Sequence, residues 1–311
     1  MRVFVTGASG FVGSAIVPEL IAAGHQVVGL ARSDASAAAL SAAGAEVHRG
    51  DLKDLDSLRR GAEASDGVIH CAFIHDFSDF AGSCETDRLA IEAIGGALAG
   101  SDRPLIVTSG TGLLAPGRLA TEDESVAPGR LATEDDLVDP ESAGSPRAAS
   151  EVLTMAMTSR GVRTSLMRLP PSVHGDGDHH GFVPILIDIA RKKGVSAYIG
   201  DGANRWPAVH RLDAARLYKL ALEKAPAGSR LHAVADEGVP TRDIAAVIGR
   251  RLDLPVVAIS AEEAGGHFGW FGHFFSRGVP ASSALTRERM RWHPEHPALL
   301  PDLDQGHYFE G

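Results

Sequence analysis

Hydrophobic residues enter this chain in two rhythms. Val3, Phe4 and Val5 run together without helical spacing, as in a strand buried on both faces. Gly7, Gly10 and Gly13 follow, then Ile16, Val17, Leu20 and Ile21 at helical spacing, then a second apolar run from Val27 to Leu30. The same alternation continues. Strands are predicted over 45–48, 67–71, 105–108 and 164–168, and helices over 86–98, 148–157 and 213–222. Such alternation predicts the α/β class, with a doubly wound parallel sheet of Rossmann type.

The first strand–helix–strand unit carries candidate chemistry. Its glycines allow a tight turn, close approach of backbone to a pyrophosphate, and close helix–strand packing. The following helix presents free N–H groups and a positive dipole end. Ligands of such sheets lie at the carboxyl ends of strands. Arg32, Asp51, Cys71, Ala72, Phe73, Ser109 and Thr111 are all expected there. No acid stands just past the second strand, where Ala31 is followed by Arg32 and Ser33. A guanidinium beside a hydroxyl suits the extra phosphate of NADP(H), which is therefore favoured. Asp34 could reach a ribose, which keeps NAD(H) open.

A chain of 311 residues can bury a sizeable core in one large or two smaller lobes. The formal charge of −10 argues against a nucleic-acid partner. No run approaches the roughly 18 apolar residues needed to span a bilayer, so no membrane partner is expected. Met1 directly precedes the first strand and leaves no room for a signal peptide. The only cysteines, Cys71 and Cys84, form no metal-type pair, and a reducing cytoplasmic setting is expected. Asp176, Asp178, His179 and His180 crowd one stretch without recognisable ligand spacing, so no metal is expected. Residues 115–126 (APGRLATEDESV) are nearly repeated at 127–138 (APGRLATEDDLV). The repeat is acidic, holds Pro and Gly, and is expected to be surface loop, since longer loops cost little entropy. The segment 265–275 (GGHFGWFGHFF) concentrates aromatics among glycines that discourage a plain helix. Core, pocket wall, lid and subunit contact are all open roles for it.

These motifs together resemble the extended and atypical short-chain dehydrogenases/reductases, the NAD-dependent epimerase/dehydratase group. TGASGFVG, from Thr6 to Gly13, is similar to that group's TGxxGxxG. Gly50, Asp51 and Leu52 resemble its adenine-side aspartate motif, and His70 to Phe73 the segment under the middle of the cofactor. LPPSVHGDGD from Leu169, GDGANRWPAVHRLDAARLYKLAL from Gly200 and ASSALTRERMRWHP from Ala281 resemble later family segments. The resemblance implies a dinucleotide-binding lobe (1–170 and about 205–234) and a smaller C-terminal substrate lobe (about 171–204 and 235–311). It implies cofactor contacts at Gly7, Ser9, Gly10, Phe11, Val12, Gly13, Arg32, Ser33, Asp51, Leu52, Cys71, Ala72, Phe73, Leu169 and Val173. It also makes a homodimer an expectation.

The family's chemistry rests on a Ser, a Tyr and a Lys, the last two spaced Tyr-x-x-x-Lys. The chain's tyrosines, Tyr198, Tyr218 and Tyr308, have no Lys four residues on. Arg147 falls at the tyrosine's place, Glu151 at the lysine's, and Gly110 at the serine's. Arg147 and Glu151 are four apart on a predicted helix, so they can pair. Arginine stays protonated, but it can polarise a carbonyl or hold a carboxylate. Hydride transfer belongs to the cofactor and survives these losses. Candidate catalytic groups are Ser109 and Thr111 to polarise an oxygen, Arg147 to assist, and His75 or His174 to supply a proton. His179, His180 and His210 also fall near the expected mouth. The leading expectation is an NADP(H)-dependent oxidoreductase acting on a small carbonyl or alcohol. The alternatives are a non-catalytic NADP-binding sensor of the NmrA-like kind and a sugar-nucleotide epimerase or dehydratase.

Overall fold

The computed structural model describes residues 1–76, 78–114, 131–138 and 146–310. The first part of the chain runs β1 (Arg2–Thr6), α1 (Gly13–Ala22), β2 (Gln26–Ala31), α2 (Asp34–Ala42), β3 (Glu46–Arg49), α3 (Leu55–Glu63), β4 (Gly67–His70), α4 (Phe80–Leu98), β5 (Pro104–Gly110), α5 (Ala148–Ala156) and β6 (Arg163–Leu169). It continues through β7 (Ser172–His174), α6 (Phe182–Lys193), β8 (Ser196–Ile199), β9 (Arg205–His210), α7 (Arg211–Lys224), β10 (Ser229–His232), β11 (Asp236–Pro240) and α8 (Thr241–Leu252). The last elements are β12 (Val256–Ile259), α9 (Ala261–Phe268), α10 (Phe271–Phe275), α11 (Ala284–Met290) and α12 (Leu299–Leu303).

Seven strands form one sheet in the order β10-β6-β5-β4-β1-β2-β3. Every neighbouring pair is parallel, so all carboxyl ends share one edge. The unbroken apolar runs explain this, because a strand such as Val3–Val5 must be covered on both faces. One face is covered by α1 and α7 around Ile16, Leu20, Leu217 and Tyr218, the other by α3, α4 and α5 around Leu58, Ile91 and Ile94. The expected α/β doubly wound sheet is thus observed. Its seventh strand, β10, was not among the strands predicted from the apolar runs.

A separate core forms around Trp206, with β11-β9-β7 and β12-β8 as small sheets. Trp206 meets Phe271, Phe274 and Phe275 edge-on at 5.8, 5.2 and 5.3 Å between ring centres. The aromatic segment is helical but broken, because Gly269 adopts φ +61° between α9 and α10. Helix α4 begins at Phe80, earlier than the pattern predicts, because the Asp79 side chain accepts from the Gly82 N–H and caps it. Residues 115–130 of the duplicated stretch lie outside the described residues. In its second copy Ala132 and Glu134 are buried, which corrects the purely surface expectation. Through Oε1 the Glu134 carboxylate accepts from both the N–H and the hydroxyl of Thr286, while its buried Oε2 has no hydrogen-bond partner among the described residues.

A polar network fills the space under the carboxyl ends of β4, β5 and β6. Glu151 on α5 and Arg168 on β6 form a two-pronged pair at 3.0 and 2.8 Å, with side chains 3% and 0% exposed. Ser109 donates to the same Glu151 carboxylate at 2.6 Å. The Arg168 guanidinium also donates to the Asp136 carbonyl at 3.0 Å and contacts His232 Nε2 at 3.3 Å. Beside it, Asp87 accepts from Ser150 at 2.6 Å and contacts His70, whose other nitrogen contacts the Thr6 hydroxyl. Breaking a buried pair strands one charge without water. Glu151→Gln is therefore expected to cost about 3–5 kcal/mol in equilibrium urea unfolding. Glu151→Gln combined with Arg168→Met is expected to recover part of that loss.

Candidate functional site

The loop from β1 to α1 turns at Gly7, where φ is +68° and an added Cβ would stand 2.7 Å from the Ala72 nitrogen. At Gly13 the same atom would stand 2.0 Å from the Gly7 carbonyl oxygen. Only glycines let this loop lie so close to β4 and to itself. Among the described residues, no group accepts from the N–H of Phe11, Val12 or Gly13. Those N–H groups, at the start of a ten-residue helix, suit an anion such as a pyrophosphate.

A cleft of about 1770 Å³ opens above this loop and crosses the sheet's carboxyl edge. Every position that the family resemblance marks for cofactor contact, from Gly7 to Val173, lines it. At the β2 end, Arg32, Ser33 and Ser36 form its wall. Ser33 caps α2 by accepting from the Ser36 N–H, which turns that helix's positive end toward the cleft. Asp34 does not line the cleft, and its carboxylate is held by Arg49 at 2.6 Å. Asp51 lines the wall and accepts from the Lys53 N–H.

At the β5 end the expected catalytic residues separate. Ser109, Arg147 and His75 line the cleft. Thr111 and His174 do not, and both are fully buried. This corrects their expected roles. Thr111 begins a short 3-10 turn that carries its side chain inward. His174 lies on β7, and its ring contacts the Asp302 carboxylate at 2.8 Å. His210 is likewise off the cleft, edge-on to His174 and stacked on His296 at 4.7 Å. Burial, reinforced by the neighbouring His174, pushes His210 down to about 4. His179 and His180 line the cleft.

The pairing of Arg147 with Glu151 expected from their spacing is absent, because Glu151 is taken by Arg168. Arg147 instead lays its guanidinium over the Phe73 ring, 3.8 Å from the centre, and donates to the Thr108 carbonyl at 3.0 Å. His75 stands edge-on to the same Phe73 ring at 5.3 Å, exposed at the cleft rim. Partial desolvation, then the charge of Arg147, hold its imidazole below the ordinary pKa. Burial pushes the Cys71 thiol up, so it is no ready nucleophile. Tyr218 is buried, with its hydroxyl 2.7 Å from that of Thr108, and its pKa is raised by burial.

Several lining residues escaped the sequence pattern. Arg211 follows β9, lies 4.8 Å from the Phe11 ring centre, and donates to the Ser14 hydroxyl and the Asp176 carbonyl. Strand β9 was not evident in the sequence, so nothing marked its end as a ligand edge. Phe182, Phe274, Trp270 and Arg277 complete the far wall. The concentration of aromatics at 265–275 was the available signal for two of them. Among the described residues, no group of three or more His, Cys, Asp or Glu could hold a metal. Among them too, no helix is long and apolar enough to cross a membrane.

Known proteins match this geometry. The model of the NAD dependent epimerase/dehydratase family matches residues 3–83. An uncharacterized protein of Schizosaccharomyces pombe is 52% identical over 99% of this chain and 100% of its own length. A 4-hydroxy-2-methyl-3-oxo-4-farnesyl-3,4-dihydroquinoline-1-oxide ketoreductase of Stigmatella aurantiaca is 27% identical over 86% of this chain and 80% of its own. The structure of a dTDP-glucose 4,6-dehydratase from Streptomyces venezuelae, with NAD bound, superimposes with a TM-score of 0.76 at 20% identity, covering 99% of this chain and 96% of that one. The segment that carries the glycine turn is thus similar to the NAD dependent epimerase/dehydratase family, and the whole chain shares its fold with an NAD-bound dehydratase.

Proposed function

We propose that the chain is an NADP(H)-dependent oxidoreductase that moves hydride between the nicotinamide and a small carbonyl or alcohol. The observation that carries this reading is the continuity of the cleft. One cavity joins the glycine turn and Arg32 to Ser109, Arg147 and His75. Its volume of about 1770 Å³ exceeds the roughly 300–1,000 Å³ of ordinary ligand pockets, which leaves room for a second molecule beside a dinucleotide. A sensor that only reads the cofactor needs no such space.

When bound, the dinucleotide supplies or accepts the hydride. In the reducing direction the carbonyl carbon gains hydride and its oxygen gains a proton. Arg147 places fixed positive charge where negative charge must be met, and it is too basic to give the proton. The Ser109 hydroxyl points its proton at Glu151 and serves to hold the strand end. His75, at the rim, delivers the proton and recovers it from solvent. An epimerase or dehydratase must remove and return a proton within one closed cycle. Arg147 cannot do this, which favours the simpler oxidoreductase. The resemblance to a ketoreductase agrees with that preference.

NADPH oxidation against a panel of aldehydes and ketones tests the reading. Tight cofactor binding with no turnover on any of them overturns it, and conversion of a sugar nucleotide with retained cofactor supports the rival. Because the pKa of His75 lies below 6.5, its protonated form grows as pH falls through that lower value. The reduction rate should therefore rise on the acid side of pH 6.5, and His75→Gln should flatten the profile. For the cofactor, Arg32→Ala is expected to weaken NADPH binding about 30-fold by calorimetry, roughly the worth of one charge-assisted contact, and to leave NADH unchanged. Equal losses for both nucleotides would remove the case for NADP(H).

A further inference from the structure

We propose that the substrate is an anionic oxo acid with a flat apolar body, its carboxylate held by Arg147 close to the reacting carbonyl. This rests on the oxidoreductase reading above and specifies the ligand of the same cleft.

Arg147 is a cation built into the wall, with its plane fixed by two contacts. The Phe73 ring lies 3.8 Å beneath the guanidinium, and the Thr108 carbonyl accepts one N–H at 3.0 Å. Stacking on a ring leaves the edge N–H groups to act as a planar fork, the geometry that matches a carboxylate. Among the described residues, no carboxylate lies within 4.0 Å of it. The acid one helical turn on, Glu151, is committed to Arg168 and Ser109. The buried Asp87 carboxylate feels the Arg147 charge from within the fold but makes no ion pair with it, so among the described residues the guanidinium is left unpaired on the cleft side. Desolvation first, and then this charge, lower the pKa of the neighbouring His75.

Most of the rest of that end of the cleft is apolar and aromatic, with Arg277, His179 and His180 as polar members of its wall. Phe182 and Phe274 pack at 4.8 Å between ring centres, and Phe182 also touches the buried Trp206. Trp270, 56% exposed, Ile185, Leu114 and Leu137 extend the same surface. Flat rings anchored to a packed core form a rigid slot for a planar apolar group. A rigid cation beside a rigid apolar slot selects a molecule with both features. The carboxylate must sit near the carbonyl, because Arg147 and His75 share the one Phe73 ring and so address neighbouring atoms.

Matched probes test this. With saturating NADPH, phenylpyruvate is compared with phenylacetone, which keeps the ring and the ketone and lacks the carboxylate. The wild-type protein is expected to prefer the acid by about 30-fold in kcat/KM, since a fixed charge left unpaired discriminates strongly. Arg147→Gln should bring the two within about threefold by slowing the acid far more than the neutral ketone, and Arg147→Lys should restore part of the difference. Equal kcat/KM for both compounds in the wild type overturns the proposal.

A readout without turnover separates it from the reaction itself. Calorimetry on the NADP+-loaded protein compares phenylacetate with phenylacetamide. The acid is expected to bind about tenfold more tightly, and Arg147→Gln to abolish the gap while NADP+ affinity stays unchanged. Acid and amide binding alike in the wild type overturns the anion site, whatever the variant does. Arg147-dependent acid binding with no NADPH oxidation on any carbonyl overturns the oxidoreductase reading and leaves the anion site standing.

Discussion

Glu151 and Arg168 form an ion pair that water does not reach, and the working end of the sheet is built on it. The pair joins α5 to β6, and through Ser109 it also holds the end of β5. Two buried charges are tolerable only when each meets the other with good geometry. Here the Arg168 guanidinium spends its remaining N–H groups on the Asp136 carbonyl and on His232, and the Glu151 carboxylate takes the serine hydroxyl. The network is satisfied, so it fixes one arrangement of three elements. It also determines which residues remain available to the cleft.

That consequence reaches the chemistry. In the family's usual pattern, the helix after β5 offers a tyrosine and, one turn on, a lysine. In this chain the second position turns inward as an acid and is consumed by structure. The first is then left as an arginine without its i+4 partner. Its guanidinium settles on Phe73, whose own position follows from β4, and His75 stands edge-on to the same ring. A positive charge has thus moved from the lysine's position to the tyrosine's. In the proposed reaction, acid–base work falls to a histidine at the rim.

Much of this architecture was legible in the residues. The unbroken runs at Val3–Val5 and Val27–Leu30, with glycines between, specify a buried parallel pair and a phosphate turn, because neither could form otherwise. The residues that line the cleft beside the glycine turn were legible for the same reason: once strand ends are known, the edge where the cleft opens follows. What was not legible depends on long-range choices. Spacing on α5 permitted an Arg147–Glu151 pair, and only the approach of Arg168 from β6 decides against it. His174 and His75 look alike in sequence. One follows a strand that dives under α12 to meet Asp302, and the other ends at an open rim. Arg211 was hidden because Pro207 interrupts the strand before it, and a proline within a run argues against a strand.

The duplicated stretch and the aromatic segment show the same dependence from opposite sides. Glu134 belongs to a sequence that is acidic and rich in breakers, yet it is buried because the start of α11 offers two donors to its carboxylate. The segment 265–275 is rich in rings, yet it divides its labour at Gly269. Phe268, Phe271 and Phe275 pack into the Trp206 core, while Trp270 and Phe274 face the cleft. One local sequence therefore makes both the foundation and the surface of a wall. A wall held by its own core keeps its shape when the cleft fills, and a cation stacked on Phe73 at the other side does the same. For the substrate proposed above, specificity would then come from fixed groups rather than from closure around the ligand, because both features are in place beforehand.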